Sequence, residues 1–236
     1  MCRKPAPGRT LPPRSGAGLL QGNSMHIAEG VLSPAVLGAG AVLAAAGTAI
    51  GLRRLDYDRL MTVGILSAAF FVGSLIHVPV GFSSVHLILN GLVGVLLGWA
   101  AFPAILVALL LQALLFQFGG LTVLGVNTFT MGFSSVLAWY CYRGIVHIWP
   151  GPAGIRAAAF CGGALGVALA AVLTALALAF TSEGFWAAAQ LLLLAHLPIM
   201  LAEGLITMFT VSFIARVRPE MLRSARRTAA SEGILS

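Results

Sequence analysis

The stretch FPAILVALLLQALLF, residues 102–116, decides the fold class. Its residues are apolar on every side of a helix, and Gln112 is the one polar exception. A strand of a membrane-spanning barrel would alternate apolar and polar residues, and a surface helix of a soluble protein would carry a polar stripe. Neither pattern is present, so residues 102–116 predict a helix surrounded by lipid or by other apolar helices.

The apolar character extends over most of the chain. Hydrophobic residues make up 59% of the 236 residues and charged residues only 9%, whereas soluble domains have about 45–50% and about 25%. The formal charges within residues 60–215 are Arg143, Arg156, Glu183 and Glu203. This composition excludes a soluble enzyme and a disordered chain. It also excludes a nucleic-acid partner, despite the net charge of +7.

Seven apolar stretches are candidate membrane-spanning helices, which need about 20 residues each. They cover roughly residues 32–52, 61–79, 85–101, 103–118, 128–147, 157–181 and 186–214. We expect a sharp turn near Phe102 and Pro103, and a bend or break at Pro198 in the last span. Glycines four residues apart, such as Gly94 and Gly98, are typical of close helix packing. The sequence therefore predicts an all-α, polytopic membrane protein with about seven transmembrane helices.

The basic residues set the predicted orientation. If Met25 lies outside and the chain crosses seven times, all ten basic residues after Met25 fall on the cytoplasmic side, as the positive-inside rule expects. They are Arg53, Arg54, Arg59, Arg143, Arg156, Arg216, Arg218, Arg223, Arg226 and Arg227. Glu183 falls on the opposite side. We therefore place the N-terminus outside and the C-terminus in the cytoplasm.

Residues 1–24 differ from everything that follows. They contain four basic residues, four prolines and four glycines, and they lack the apolar core that a signal peptide needs. This composition predicts a disordered extension. Its basic residues would also lie on the outer side, against the positive-inside rule. We predict that residues 1–24 are absent from the mature chain and that residues 25–236 form a single transmembrane domain.

Three polar segments converge at the outer face in this topology. They are residues 25–30, 77–86 and 118–128. The first two contribute His26, His77 and His86, and none of the three contributes Lys or Arg. Such a site suits a cation, and imidazole favours transition metals. The alternative for each histidine is a hydrogen-bonded structural role.

A chain that begins at Met25 offers a chelating terminus. The amine of Met25 and the amide nitrogen and imidazole of His26 can bind one ion through a five-membered and a six-membered ring. A fourth nitrogen from His86 or His77 would complete a square, which favours Cu(II) or Ni(II). The reference pKa of an α-amine, about 7.7–8.0, makes loss of its proton easy.

Four motifs in this order resemble the substrate-capture subunit of energy-coupling-factor cobalt/nickel transporters, the CbiM/NikM family. They are MHIAEG at 25–30, SSVHLILNGLVGVLLG at 83–98, FGGLTVLGVNTFTMG at 118–132 and EGLITMFTVSFIARVRPEML at 203–222. The resemblance implies a seven-helix protein whose N-terminus and one loop histidine bind the ion. Carried over to this sequence, those ligands are Met25, His26 and His86.

The resemblance also implies the partners and the cargo. The transported ion would be Co²⁺ first, with Ni²⁺ close behind, and no cofactor or catalytic residue is expected. The partners would be a transmembrane coupling (T) subunit, two cytoplasmic ATPases and a small accessory membrane subunit, in the cell membrane of a bacterium or archaeon. This chain carries no GxxxxGK[ST] motif for ATP. The alternative is a stand-alone transition-metal permease or secondary carrier, and a membrane enzyme is a third reading.

Four further polar residues receive expectations. His77 is an alternative ligand, and Glu29 is expected to hold the N-terminal segment. Asn127 and Thr128 are expected to hydrogen-bond the loop that carries the ligand histidine, since metal-bound histidines are usually oriented by such partners.

His196 and Glu203 lie seven residues apart and so share one helix face. An acid inside a membrane helix is functional by default. The pair is predicted to lie deep, so we expect a helix-locking hydrogen bond or a subunit contact rather than metal capture.

Overall fold

A computed structural model describes residues 30–75, 77–80, 83–181, 186–219 and 222. These residues form seven α-helices, two single-turn 3₁₀ helices and one β-hairpin. In chain order they are α1 (Pro34–Arg53), a 3₁₀ turn (Tyr57–Arg59), α2 (Leu60–Leu75), β1 (His77–Val80), β2 (Ser83–His86), α3 (Asn90–Leu97), a 3₁₀ turn (Gly98–Ala100), α4 (Ala101–Phe116), α5 (Leu124–Ile148), α6 (Pro152–Ala179) and α7 (Trp186–Val217). The predicted helical fold class is confirmed, with the hairpin added between α2 and α3.

Five helical stretches of the described chain are long and apolar enough to cross a membrane. They are Pro34–Arg53, Tyr57–Leu75, Asn90–Phe116, Pro152–Ala179 and Leu192–Val217. Helix α5 is long enough but carries several buried polar residues, and it packs against α1, α3, α4 and α6. The chain is thus a multi-pass membrane protein with α5 near the centre of its helix bundle.

Helix α3 runs antiparallel to α2. At the start of α2, the Arg59 guanidinium donates to the Leu96 carbonyl near the end of α3, at 2.9 Å. At the other end, a Cβ added to Gly73 would lie 2.7 Å from the Leu89 side chain, just before α3. All eight residues of α3 are buried, so this short helix lies in the interior of the bundle.

Helix α4 runs back, parallel to α2. The Ser67 hydroxyl donates to the Ala104 carbonyl at 2.7 Å. About two turns further along both helices, the Gln112 amide donates to the Ser74 hydroxyl at 2.5 Å. The stretch Asn90–Phe116 is therefore a helical hairpin. Its reversal begins at Gly98, whose φ of +58° is a left-handed conformation that glycine adopts without a steric penalty.

The structure corrects four details of the predicted spans. The reversal lies at Gly98, four residues before the predicted Phe102, because Pro103 is tolerated in the first turn of α4, where no N–H is needed. A helix from residue 85 is wrong, since residues 83–86 are a strand. The second span ends at Leu75 rather than 79. Helix α7 continues through Pro198 and is not broken there.

Small residues let the helices around α3 approach closely. A Cβ added to Gly94 would lie 2.7 Å from the Ser135 carbonyl carbon of α5, and one added to Gly91 would lie 2.7 Å from Gly163 Cα of α6. Backbone atoms cannot move aside as a flexible side chain can. The expectation that spaced glycines mark close helix packing is confirmed at Gly94.

The arginines of the described residues lie at one end of the bundle. They are Arg53, Arg54, Arg59, Arg143, Arg156, Arg216 and Arg218, near the ends of α1, α5 and α7 and the starts of α2 and α6. Arg54 lies over the Trp99 ring, 5.0 Å from its centroid, beside the α3–α4 reversal. This is the charge segregation that the positive-inside rule requires, and the orientation itself stays a prediction.

We expect Gly94→Ala to destabilise the protein, because its methyl group would meet the α5 backbone. Overpacking of this kind costs about 1–3 kcal/mol. Gly64→Ala is the matched control, since nothing lies within 4 Å of an added Cβ there, and alanine favours a helix by about 1 kcal/mol over glycine. Thermal unfolding in detergent should show a lower midpoint for Gly94→Ala only. Equal midpoints would contradict this packing.

Candidate metal site

The segment that begins at Gly30 is held at the end of the bundle opposite to the arginines. The Ser33 backbone N–H donates to the Thr181 hydroxyl at 3.3 Å, which joins the start of α1 to the end of α6. Leu32 is buried in an apolar cluster with Val123, just before α5. The chain therefore enters the bundle beside the start of α5 and the end of α6.

The hairpin and the connection after α4 lie at this same end. Helices α2 and α4 finish side by side, with the Phe71 and Phe116 rings 5.9 Å apart, and the hairpin follows α2 directly. The 117–123 connection then leads to the start of α5. The structure thus places the beginning of the described chain, the hairpin and the 118–128 segment at one end of the bundle.

The register of the hairpin pairs the two candidate histidines. His77, the first residue of β1, is the Cα partner of His86, the last residue of β2. Directly opposite residues of an antiparallel pair have Cα atoms about 4.5–5.5 Å apart. The two positions that the sequence left open as the fourth ligand are therefore neighbours across the strands.

A buried carboxylate anchors the backbone immediately after β2. The Glu203 Oε1 atom on α7 accepts hydrogen bonds from the Ile88 N–H at 2.5 Å and the Leu89 N–H at 2.9 Å. Glu203 is fully buried. Leu89 has a left-handed φ of +56° and provides no side-chain cap for α3. The predicted helix-locking role of Glu203 is confirmed, and its partner is the segment after His86.

Asn90, the first residue of α3, ties the same point to two more helices. Its amide group donates to the Gly166 carbonyl of α6 at 2.9 Å. Its own carbonyl accepts from the Ser135 hydroxyl of α5 at 2.8 Å. Sequence reasoning missed this residue, although an asparagine inside the apolar run LILNGLVG was the available signal.

The other predicted polar residues occupy distinct places. Asn127 and Thr128 are buried in the first two turns of α5, and the Thr128 hydroxyl has no hydrogen-bond partner within the described part of the chain. Their contact with the loop that carries His86 stays a prediction. The His196 Nδ1 atom lies 2.5 Å from the Leu192 carbonyl one turn earlier in α7, so His196 makes a hydrogen bond within its own helix.

The ligands predicted at the N-terminus lie outside the described residues. These are Met25 and His26, together with Glu29. Across residues 30–75, 83–181 and 186–219, no three His, Cys, Asp or Glu side chains come together.

These features define a class, a multi-pass helical membrane protein with a histidine-bearing hairpin anchored at one end of the bundle. Residues 26–221 match the family described as "Cobalt uptake substrate-specific transmembrane region", CbiM. The chain belongs to this family, and the resemblance drawn from the four motifs is confirmed.

Known relatives agree with this assignment. The chain is 42% identical over 199 residues to a putative metal transport protein of Haemophilus influenzae, covering 84% of this chain and 97% of that protein. It is 34% identical to a putative fused nickel transport protein NikMN of Archaeoglobus fulgidus, covering 84% and 68%. A crystal structure of a transition metal transporter aligns with a TM-score of 0.71 at 26% identity, covering 86% and 98%.

Proposed function

We propose that this chain is the substrate-capture subunit of an energy-coupling-factor transporter for Co²⁺ or Ni²⁺. The observation that carries the proposal is the placement of the anchored His86 segment at the end of the bundle where the described chain begins, in a member of the cobalt-uptake family. Transport relatives support a non-catalytic role for the chain itself.

The proposed ligands are the Met25 amine, the amide and imidazole nitrogens of His26, and the His86 imidazole. Gly30 lies at the hairpin end, and five residues of chain reach at most about 18 Å. The 28-residue helix α6 is about 42 Å long. We propose that these five residues bring Met25 to His86 at this end of the bundle.

The proposed donor set selects a transition metal, and the family description favours cobalt over nickel. An amine, an ionised amide and imidazoles select against Mg²⁺ and Ca²⁺, which take oxygen ligands. Square-planar nitrogen favours Ni(II), whereas the family description names cobalt. We place cobalt first and nickel close behind, with the ion as transported substrate rather than resident cofactor.

ATP-driven uptake would come from partner subunits. We propose a transmembrane coupling (T) subunit, two cytoplasmic ATPases and a small accessory membrane subunit. The proposed mature chain is residues 25–236, and the family match from residue 26 supports that boundary. A secondary carrier is the alternative, but such carriers use charged relays through the membrane. Glu203, the one acid within the described α-helices, is occupied in holding the Ile88 and Leu89 amides.

His86→Ala should abolish tight binding of cobalt and nickel while the protein still inserts and folds. Loss of one of four nitrogens should cost several kcal/mol, on the scale of roughly 10–16 kcal/mol for a tight protein metal site. His77→Ala is the matched control on the opposite strand and should have a smaller effect. Calorimetry on both variants checks this, and the reverse order of effects would assign the ligand to His77.

A chain that begins at Met25 should bind cobalt or nickel tightly, whereas one with a blocked or extended terminus should bind poorly. The reason is that a peptide-linked Met25 nitrogen is far less basic than a free amine and must lose an amide proton. N-terminal sequencing of the native membrane protein, together with calorimetry of the two forms, checks this. Tight binding by a chain that starts at Met1 would show that the amine is not a ligand.

Uptake assays in lipid vesicles distinguish a capture subunit from a carrier. With this chain alone, we expect metal binding but little uptake of radioactive cobalt. Adding the coupling subunit, the ATPases and ATP should start uptake, because only the ATPases supply the free energy. Uptake by the chain alone, abolished in His86→Ala, would instead establish a carrier.

A further inference from the structure

We propose that Glu203 is the positioning residue of the metal site, which fixes the segment that carries His86 without binding the ion. This inference rests on the proposed function, since it takes His86 as a ligand. Its structural basis is independent of that assignment, because the hydrogen bonds of Glu203 join α7 to the backbone after β2.

The hydrogen bonds of Glu203 reach the backbone only two and three residues after His86. Ile88 follows His86 by two residues, so its amide lies within about 7 Å of the His86 Cα atom. One carboxylate oxygen receives both the Ile88 and the Leu89 amides. Two bonds to consecutive amides restrict rotation of the backbone as well as its distance from α7.

The positioned segment is the link between the hairpin and α3. Residues 87–89 lie between β2 and α3 and belong to neither element. Leu89 adopts a left-handed conformation, which is unfavourable for a residue with a Cβ. The N-terminus of α3 also concentrates unpaired N–H groups and a partial positive charge. A carboxylate is therefore the group that holds this segment best, through charge-assisted hydrogen bonds.

Glu203 can serve as an anchor because its own backbone is fixed. A Cβ added to Gly163 of α6 would lie 2.7 Å from the Glu203 carbonyl oxygen, and one added to Gly204 would lie 2.8 Å from the Phe160 ring. Helices α6 and α7 are thus in close contact at Glu203 and at the next residue. A shift of Glu203 would require a shift of the helix pair.

The rival role for Glu203 is direct ligation through its second oxygen. The Oε2 atom has no hydrogen-bond partner among the residues that the structure describes. Glutamine separates the two roles, because its amide oxygen can still accept from Ile88 and Leu89 while the carboxylate is gone. Aspartate keeps the charge, but its side chain is one methylene shorter, so its carboxylate oxygens lie farther from the Ile88 and Leu89 amides.

The test measures the binding of Ni²⁺ alone to chains that begin at Met25 and are purified in detergent. Calorimetry gives the affinity, and the visible absorption band of the bound ion reports its coordination. Changes of a residue that orients a metal ligand typically weaken binding about 10–100-fold. We expect Glu203→Ala and Glu203→Asp to weaken binding by this factor and to shift the band at saturation. Glu203→Gln should stay within about threefold of the parent, with the band unmoved.

Gln112→Leu is the matched control. Gln112 is fully buried, as Glu203 is, but it donates to Ser74 of α2 and not to the 87–89 segment. We expect its affinity and band to match the parent. A band shift measures the coordination geometry of the ion, which a general loss of stability would not change.

Several outcomes overturn the proposal. If Glu203→Gln binds Ni²⁺ as weakly as Glu203→Ala does, the carboxylate is a ligand. If Glu203→Ala and Glu203→Asp both bind Ni²⁺ as tightly as the parent, Glu203 has no role in the site. If Glu203→Ala does not fold, the contrast between aspartate and glutamine decides. His86→Ala measured in parallel tells the two failures apart. If His86→Ala loses Ni²⁺ binding while the Glu203 variants bind like the parent, the proposed function stands and the role of Glu203 is overturned. If His86→Ala binds Ni²⁺ like the parent, the proposed function and the role of Glu203 are both overturned.

Discussion

The bifurcated contact of the Glu203 carboxylate with the Ile88 and Leu89 amides is the interaction on which the arrangement of this bundle depends. It lies where three requirements meet. The hairpin has to end, the chain has to enter the interior, and α3 has to begin without a side-chain cap. In an apolar interior an unpaired amide is costly, so a single buried acid satisfies the backbone and fixes the place where the hairpin joins the helices.

The close packing of α3 follows from that anchor. Because α3 has only eight residues, about 12 Å of helix, its position is set by neighbours rather than by lipid. Asn90 donates a hydrogen bond to α6 and accepts one from α5. Gly91 and Gly94 allow those two helices to approach α3 closely. At the far end, Arg59 holds the Leu96 carbonyl. The interior helix is thus fixed at both ends by polar groups.

The sequence predicted the features that depend on composition and missed those that depend on tertiary contacts. Lipid imposes an apolar run on every long helix, so α1, α6 and α7 were placed to within a few residues. The hairpin and the late start of α3 were missed, since residues 77–86 were assigned to a polar segment and the apolar residues after 86 suit a helix equally well. The left-handed Leu89 that follows the hairpin is held by Glu203, more than a hundred residues away. The buried charge of Glu203 predicted a helix-locking hydrogen bond, but the sequence did not identify its partner.

The location of the bound ion tests the central claim most directly. Crystals of the chain starting at Met25, loaded with cobalt, can be measured at the cobalt absorption edge. The account predicts one anomalous peak within bonding distance of the His86 imidazole and the Met25 amine, with both Glu203 oxygens beyond bonding distance and Oε1 still on the Ile88 and Leu89 amides. A peak bonded to Glu203, or none beside His86, would contradict it.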